Sequence, residues 1–376
     1  MVQSVGTMAL ARVCKCCRPV VKESFKGLLC RVLQPGWIEG GKTAKRHLLS
    51  EDIIRLQDFQ ERKLAVGYFV NGLNGNFIDL LSEKLQRNEQ IYSRDLKILL
   101  HSCQSADDMK VATEAIYRYA ENTTFHQFKF GPLFIRLCYE LGQEDLAAAT
   151  ITDQSMKEFF NDATSFNITT DMLFTKGSYE HALKIIKTMK KRGVEFTKDT
   201  FILACGTCYK LNTPESYRIC TALIDEAESK DLPIPRHAYS FAVALALRQN
   251  DVEKAQSLYF QIINTDSRIG QNLRVLILAM SGEVAEAVSI LSAAHLYKWP
   301  SFVKKPEFCQ EVLDLLCLRS EDGPHMMKVK KIVRHLEEAN QVTQQTLDDL
   351  LCFTPPGKRE QPLVERRISR TVKAVI

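Results

Sequence analysis

The chain has 376 residues and a mass of 42.8 kDa, with 45% hydrophobic and 25% charged residues and a net charge of +5. That composition belongs to a folded protein, and the length suits two or three ordinary domains or one elongated array. No apolar run approaches the roughly 18 residues that cross a bilayer, the best being FAVALAL and VLILAM, so membrane insertion is not expected. The charge is unevenly spread. Residues 1–50 carry nine Lys/Arg against Glu23 and Glu39, and residues 354–376 carry six against two, so the body between them is acidic by six charges. A general polyanion coat is therefore excluded, and any nucleic-acid contact must use a local basic stripe.

Residues 1–50 read as a mitochondrial transit peptide. Lys15, Arg18, Lys22 and Lys26 recur at helical spacing, while Cys17, Val20, Val21, Phe25, Leu28, Leu29 and Val32 recur on another face. A basic, acid-poor, amphipathic start addresses a chain to the mitochondrial matrix, and charges break every apolar stretch that a secretory signal would need. Removal is expected near Arg46–Ser50. Within this segment Gly36–Thr43 (GWIEGGKT) matches the spacing of a phosphate-binding P-loop. That chemistry needs a buried strand before the loop and a parallel sheet around it. Pro35 precedes the loop and no strand–helix alternation follows, so the match reads as coincidence.

From about Glu51 to Leu351 the pattern is helical. Apolar residues recur at three/four spacing, as in Leu96, Leu99, Leu100 and Cys103, and breaks fall at Gly142, Gly177, Asn250 and Gly282. The pattern repeats. Ala112, Ala147 and Ala182 are 35 residues apart, Ala255 lies 73 further on and Ala287 another 32, while Cys103, Cys138 and Cys208 are 35 and 70 apart. Small residues at fixed phase let paired helices approach closely where each hairpin packs on its neighbour. The expected fold class is all-α, an α-solenoid of helical hairpins with a period near 35 residues. Capping helices are expected at 51–92, a repeat array at 93–302, further capping helices at 303–353 and a basic flexible tail at 354–376.

One unit is specific enough to carry a resemblance. In FNITTDMLFTKGSYEHALKIIKTMKKRGVEFT, Phe166, Asn167, Gly177, Ala182, Met189 and Gly193 stand in the register of the pentatricopeptide repeat. The unit 236–270, with Tyr239, Ser240, Asn250 and Ala255, is similar. The tetratricopeptide alternative has period 34 and a Leu-Gly pair in its first helix, which no unit here carries. Resemblance to the pentatricopeptide family implies binding of single-stranded RNA at about one base per unit. The base edge is then read by the fifth residue of the first helix with the last residue of the unit. Carried over, those pairs are Asn167 with Thr197, Ser240 with Gly270, and Lys97 with Gln127. Pro132 and Ile202 hold the reading position in the units between and cannot read a base. Lys210 and Arg248, where first helices end, and Lys129, Lys198 and Arg236, at unit starts, form a candidate phosphate-binding stripe.

Catalytic patterns are missing. Cys205-Gly-Thr-Cys208 is a lone CxxC without a second pair at zinc spacing, so core packing is its expected role. No HxE followed by PCxxC exists, and after residue 302 the acids are spaced as exposed helix charges. The expectation is a protein without cofactor, metal or catalysis of its own, acting on mitochondrial transcripts in processing, maturation or stability. A processing nuclease or the mitochondrial ribosome would be its partner. The acidic body and the degenerate reading positions leave a second reading open, a helical-repeat adaptor that binds protein.

Overall fold

The structure is a computed structural model, which describes residues 47–71, 77–122, 128–263, 265–296 and 305–353. The expected transit peptide up to Arg46, the P-loop match and the basic tail lie outside these residues. The described residues are almost wholly helical, as the periodicity predicts. They divide into two compact units, 47–242 (with 352 and 353) and 243–351, the division falling inside one helix.

The first unit begins with two helices, α1 (Glu51–Ile54) and α2 (Leu56–Asn71), then α3 (Phe77–Gln86). Hairpins follow in order: α4 (Ser93–Ser102) with α5 (Ala106–Asn122), α6 (Gly131–Glu140) with α7 (Glu144–Thr152), α8 (Ala163–Lys176) with α9 (Tyr179–Lys191), and α10 (Lys198–Leu211) with α11 (Pro214–Ser229). The first helices α4, α6, α8 and α10 pack each on the next, and α7 packs on α9, so the hairpins stack as an α-solenoid. The next first helix, α12 (Arg236–Arg248), carries the division.

The second unit continues with α13 (Val252–Phe260), α14 (Arg268–Ser281), α15 (Val284–Leu296), α16 (Gln310–Ser320), α17 (Met326–Glu338) and α18 (Leu347–Leu351). Here α14 is the central helix, packed by α13, α15, α16 and α18. The purely helical expectation for 303–353 misses one feature. Two-residue strands β1 (Phe308–Cys309) and β2 (Val342–Thr343) pair in parallel ahead of α16 and α18.

Local chemistry sets the helix ends. Asp162, Thr197, Thr213, Asp251 and Ser267 each accept a hydrogen bond from a backbone N–H in the first turn of the helix that follows. Gly177 and Gly282 close α8 and α14 at φ near +86° and +87°, a left-handed conformation that costs a side-chain-bearing residue energy. Ala112, Ala147, Ala182, Ala255 and Ala287 are all fully buried, as are Cys103, Cys138 and Cys208. Each therefore sits at a helix contact where a larger side chain has no room.

Candidate nucleic-acid interface

The residue pair with the most complete motif is brought together by adjacent hairpins. Asn167 stands in the second turn of α8, and Thr197 is the N-cap of α10. The Asn167 Nδ2 donates to Thr197 Oγ1 at 3.1 Å, and its Oδ1 accepts from Thr200 Oγ1 at 2.8 Å. Thr197 and Thr200 form a reciprocal capping box at the start of α10. Asn167 is only 3% exposed, while Thr197 lies on the surface. The amide thus ties one first helix to the start of the next, and both of its polar ends are engaged inside the chain.

Asn272 plays the same part in the second unit, and the sequence reading missed it. It lies 105 residues from Asn167, three periods of 35, at the same position in its helix. Its Nδ2 donates to Glu307 O at 2.9 Å and its Oδ1 accepts from Cys309 N at 2.7 Å, which links α14 to β1. The signal was present, but a unit frame starting at 271 slipped three residues past the helix start at Arg268.

The other expected base readers differ in setting. Ser240 is buried, and its hydroxyl donates to Arg236 O at 3.0 Å within α12. Lys97 is half-buried, with Nζ 5.4 Å from the centre of the Phe128 ring. Gln127 lies outside the described residues. Of the expected phosphate stripe, Lys129, Lys198 and Arg236 are exposed at the starts of α6, α10 and α12, and Lys210 is half-buried at the end of α10. Arg248, expected on the surface, is not there. Its side chain is 7% exposed and lies 4.0 Å from Asp348 in the second unit.

A second feature of the first-helix layer has no counterpart in the sequence reading. Residues 47–71 run across it. Leu48 and Leu49 are each 1% exposed, and their backbone N–H groups donate to Asp171 Oδ1 in α8 at 2.8 and 3.2 Å. His47 Nδ1 lies 2.9 Å from the other Asp171 oxygen. Gly206 in α10 leaves the space for Leu48, because a Cβ there would come within 2.8 Å of Leu48 Cδ1. Then α1 packs on α8, and α2 packs on α6 and α4. Arg136 Nε donates to Ile54 O at 2.6 Å, Lys63 pairs with Glu140 at 2.5 Å, and Phe59 stacks on His101. The buried Leu48, Leu49, Ile54, Phe59 and Val66 each contribute about 1.5–3 kcal/mol to holding this leg. The leader expected to end near Ser50 therefore overlaps three residues that the folded chain buries. The one acidic residue of α8, Asp171, was the available signal.

Cys205 and Cys208 lie in the core against Cys220 of α11. Their mutual hydrogen bonding and burial push the Cys208 and Cys220 thiols well above the ordinary range, so both stay protonated and inert at neutral pH. Among the described residues no group of three His, Cys, Asp or Glu is arranged to hold a metal, and no helix is long and apolar enough to cross a membrane.

The profile of the family described as "Mitochondrial 28S ribosomal protein S27" matches residues 26–351. A zebrafish protein named "Pentatricopeptide repeat-containing protein 2, mitochondrial" is 50% identical over 336 residues, 88% of each chain. The chain belongs to this S27 family and groups with the pentatricopeptide repeat-containing proteins 2. The human relative of the same name is 42% identical over 333 residues, which is 87% of this chain and 86% of that one. Family members in zebrafish, frog and human all carry the word mitochondrial in their names. Among solved structures, the pentatricopeptide repeat protein PPR10 from maize aligns at 14% identity with a TM-score of 0.32, over 69% of this chain and 40% of that one.

Proposed function

We propose that this family member binds single-stranded RNA in the mitochondrial matrix and acts in the processing, maturation or stability of mitochondrial transcripts, without catalysis of its own. The observation that carries the reading is the juxtaposition of Asn167 and Thr197 at 3.1 Å within the one unit that holds the full motif. The exposed Lys129, Lys198 and Arg236, at the starts of first helices, supply cations for phosphates. Single-stranded RNA would lie along first-helix starts, with phosphates on these cations and a base against the edge of the Asn167–Thr197 pair. A processing nuclease acting on the same transcript is the natural partner. Ultraviolet crosslinking in mitochondria, followed by sequencing of the attached RNA, tests it. A footprint concentrated on one transcript supports the reading, and crosslinks at background level from folded matrix protein remove it.

A second reading is favoured by a different observation. Residues 47–71 cover first helices α4, α6 and α8, and the Asn167 amide is already engaged. A chain that covers its own first helices in this way suits a protein-binding adaptor, and the matching family's description as a mitochondrial 28S ribosomal protein supports a ribosomal partner. Sedimentation of the protein with the mitochondrial ribosome, resistant to ribonuclease, would favour the adaptor over RNA binding.

A further inference from the structure

The leg that crosses the first-helix layer brings three arginines to one small pocket. Arg55 follows α1, Arg62 lies in α2 and Arg136 in α6, and together with Asp58, Phe59, His101 and Leu133 they line a space of about 90 Å³. A water's share of liquid volume is about 30 Å³, so the space has room for one tetrahedral oxyanion. Among the lining residues three guanidinium groups face a single carboxylate, Asp58, and none of the three forms an ion pair among the described residues.

Arg136 is held from behind. Its Nε donates to Ile54 O at 2.6 Å and its Nη1 reaches Pro132 O at 3.4 Å, so the fork is fixed by backbone carbonyls and not by an acid. Burial, with the neighbouring Arg55 and Arg62 charges, draws Arg136 below the usual guanidinium range, while the Asp162 and Asp58 carboxylates offset part of that shift. Like charges that line one pocket repel one another, and an anion between them relieves that repulsion.

His101 supplies an independent observation. It is 3% exposed and stacked on Phe59. Its Nδ1 lies 2.7 Å from Lys97 O, and since a carbonyl only accepts, that nitrogen carries a proton. Its Nε2 is buried and has no hydrogen-bond partner among the described residues. A buried unpaired polar atom costs about 1–3 kcal/mol, so the site is incomplete as the chain stands. A phosphate completes it in one of two ways. The O–H of a monoprotonated terminal or inorganic phosphate donates to Nε2, or Nε2 takes up a proton and donates to a phosphate oxygen, the route open to a backbone phosphodiester.

We propose that the pocket formed by Arg55, Arg62, Arg136 and His101 is a phosphate-binding site. Resting on the RNA reading above, we assign it a backbone or terminal phosphate of the bound strand, taken up where the N-terminal leg crosses α4 and α6. Guanidinium groups suit this ligand because their planar forks match phosphate oxygens in pairs. The leg would then be part of the RNA site as well as a cover over it.

The test uses the full folded chain with two probes, inorganic phosphate and a single-stranded oligoribonucleotide. Arg55→Gln with Arg62→Gln removes two exposed charges, and Arg62→Lys keeps the charge but loses the fork. Thermal melting checks that each variant folds. The expected result is a shift of the His101 ring signals by inorganic phosphate in the wild type, with at least tenfold weaker phosphate binding in the double variant. Arg62→Lys should fall between. For RNA, the salt dependence of log K should flatten by about 0.7 for each phosphate that is no longer neutralised. RNA binding equal in wild type and double variant, with no shift of His101 by phosphate, overturns the pocket and leaves the RNA reading standing. Phosphate binding lost in the double variant, with no RNA bound by any form, keeps the pocket as a site for a small phosphate ligand and ends the RNA reading.

Discussion

At the scale of single residues, one buried and one half-buried carboxylate carry testable consequences. Asp171 is fully buried and accepts from two backbone N–H groups of the leg. Asp171→Ala leaves both donors buried and unpaired, at about 1–3 kcal/mol each. Trypsin cleavage at exposed Arg55 should therefore quicken while helical circular dichroism stays unchanged; equal cleavage rates would mean that Asp171 does not hold the leg. Glu311 lies in the second unit. Burial raises its carboxyl to about 7, against the backbone N–H of Leu347, which it accepts. A carboxyl raised in the folded state stabilises below its unfolded value and loses that contribution as pH rises through the folded value. Stability should thus decline between about pH 4.5 and 7, by an amount on the order of 3 kcal/mol. Glu311→Gln should flatten that decline, measured by chemical denaturation across the range.

At the scale of helices, the periodic alanines decide how closely hairpins approach. Ala182 in α9 is fully buried, and so is its neighbour in phase, Ala147 in α7. Ala182→Leu inserts three carbons into a contact with no free volume and should cost about 1–3 kcal/mol or more, read as a lower melting temperature. Exposed ion pairs between helices behave otherwise. Lys187–Glu215 and Lys176–Asp145 are both solvated, so Lys187→Ala should move stability by less than about 1 kcal/mol. Asn167 and Asn272 show a third pattern. Each spends its amide on the start of the element one period later, which makes a first helix depend on its successor. Asn167→Ala should therefore lower stability as well as any RNA affinity, so base preference, and not affinity alone, is the measurement that separates the two roles.

At the scale of the whole molecule, charge distribution sets the behaviour toward RNA. The body from 51 to 353 is acidic, and three exposed cations mark first-helix starts in its first unit. Three neutralised phosphates give a slope of log K against log salt of about −2, at about 0.7 per phosphate on a single strand. A slope near zero in a salt titration would point to an apolar protein partner. The helical class, the hairpin breaks and the buried alanine phase were legible from the sequence, because they depend on local spacing and on turn residues such as Gly177 and Gly282. The charge asymmetry and the unit 163–197 were legible for the same reason. What the tertiary structure alone decided is what those elements face. Whether Asn167 looks to solvent or to Thr200, whether Arg248 is free or beside Asp348, and where residues 47–71 lie all depend on contacts between residues far apart in the chain. Periodicity records which face of a helix is apolar, but carries no information on which distant segment covers it.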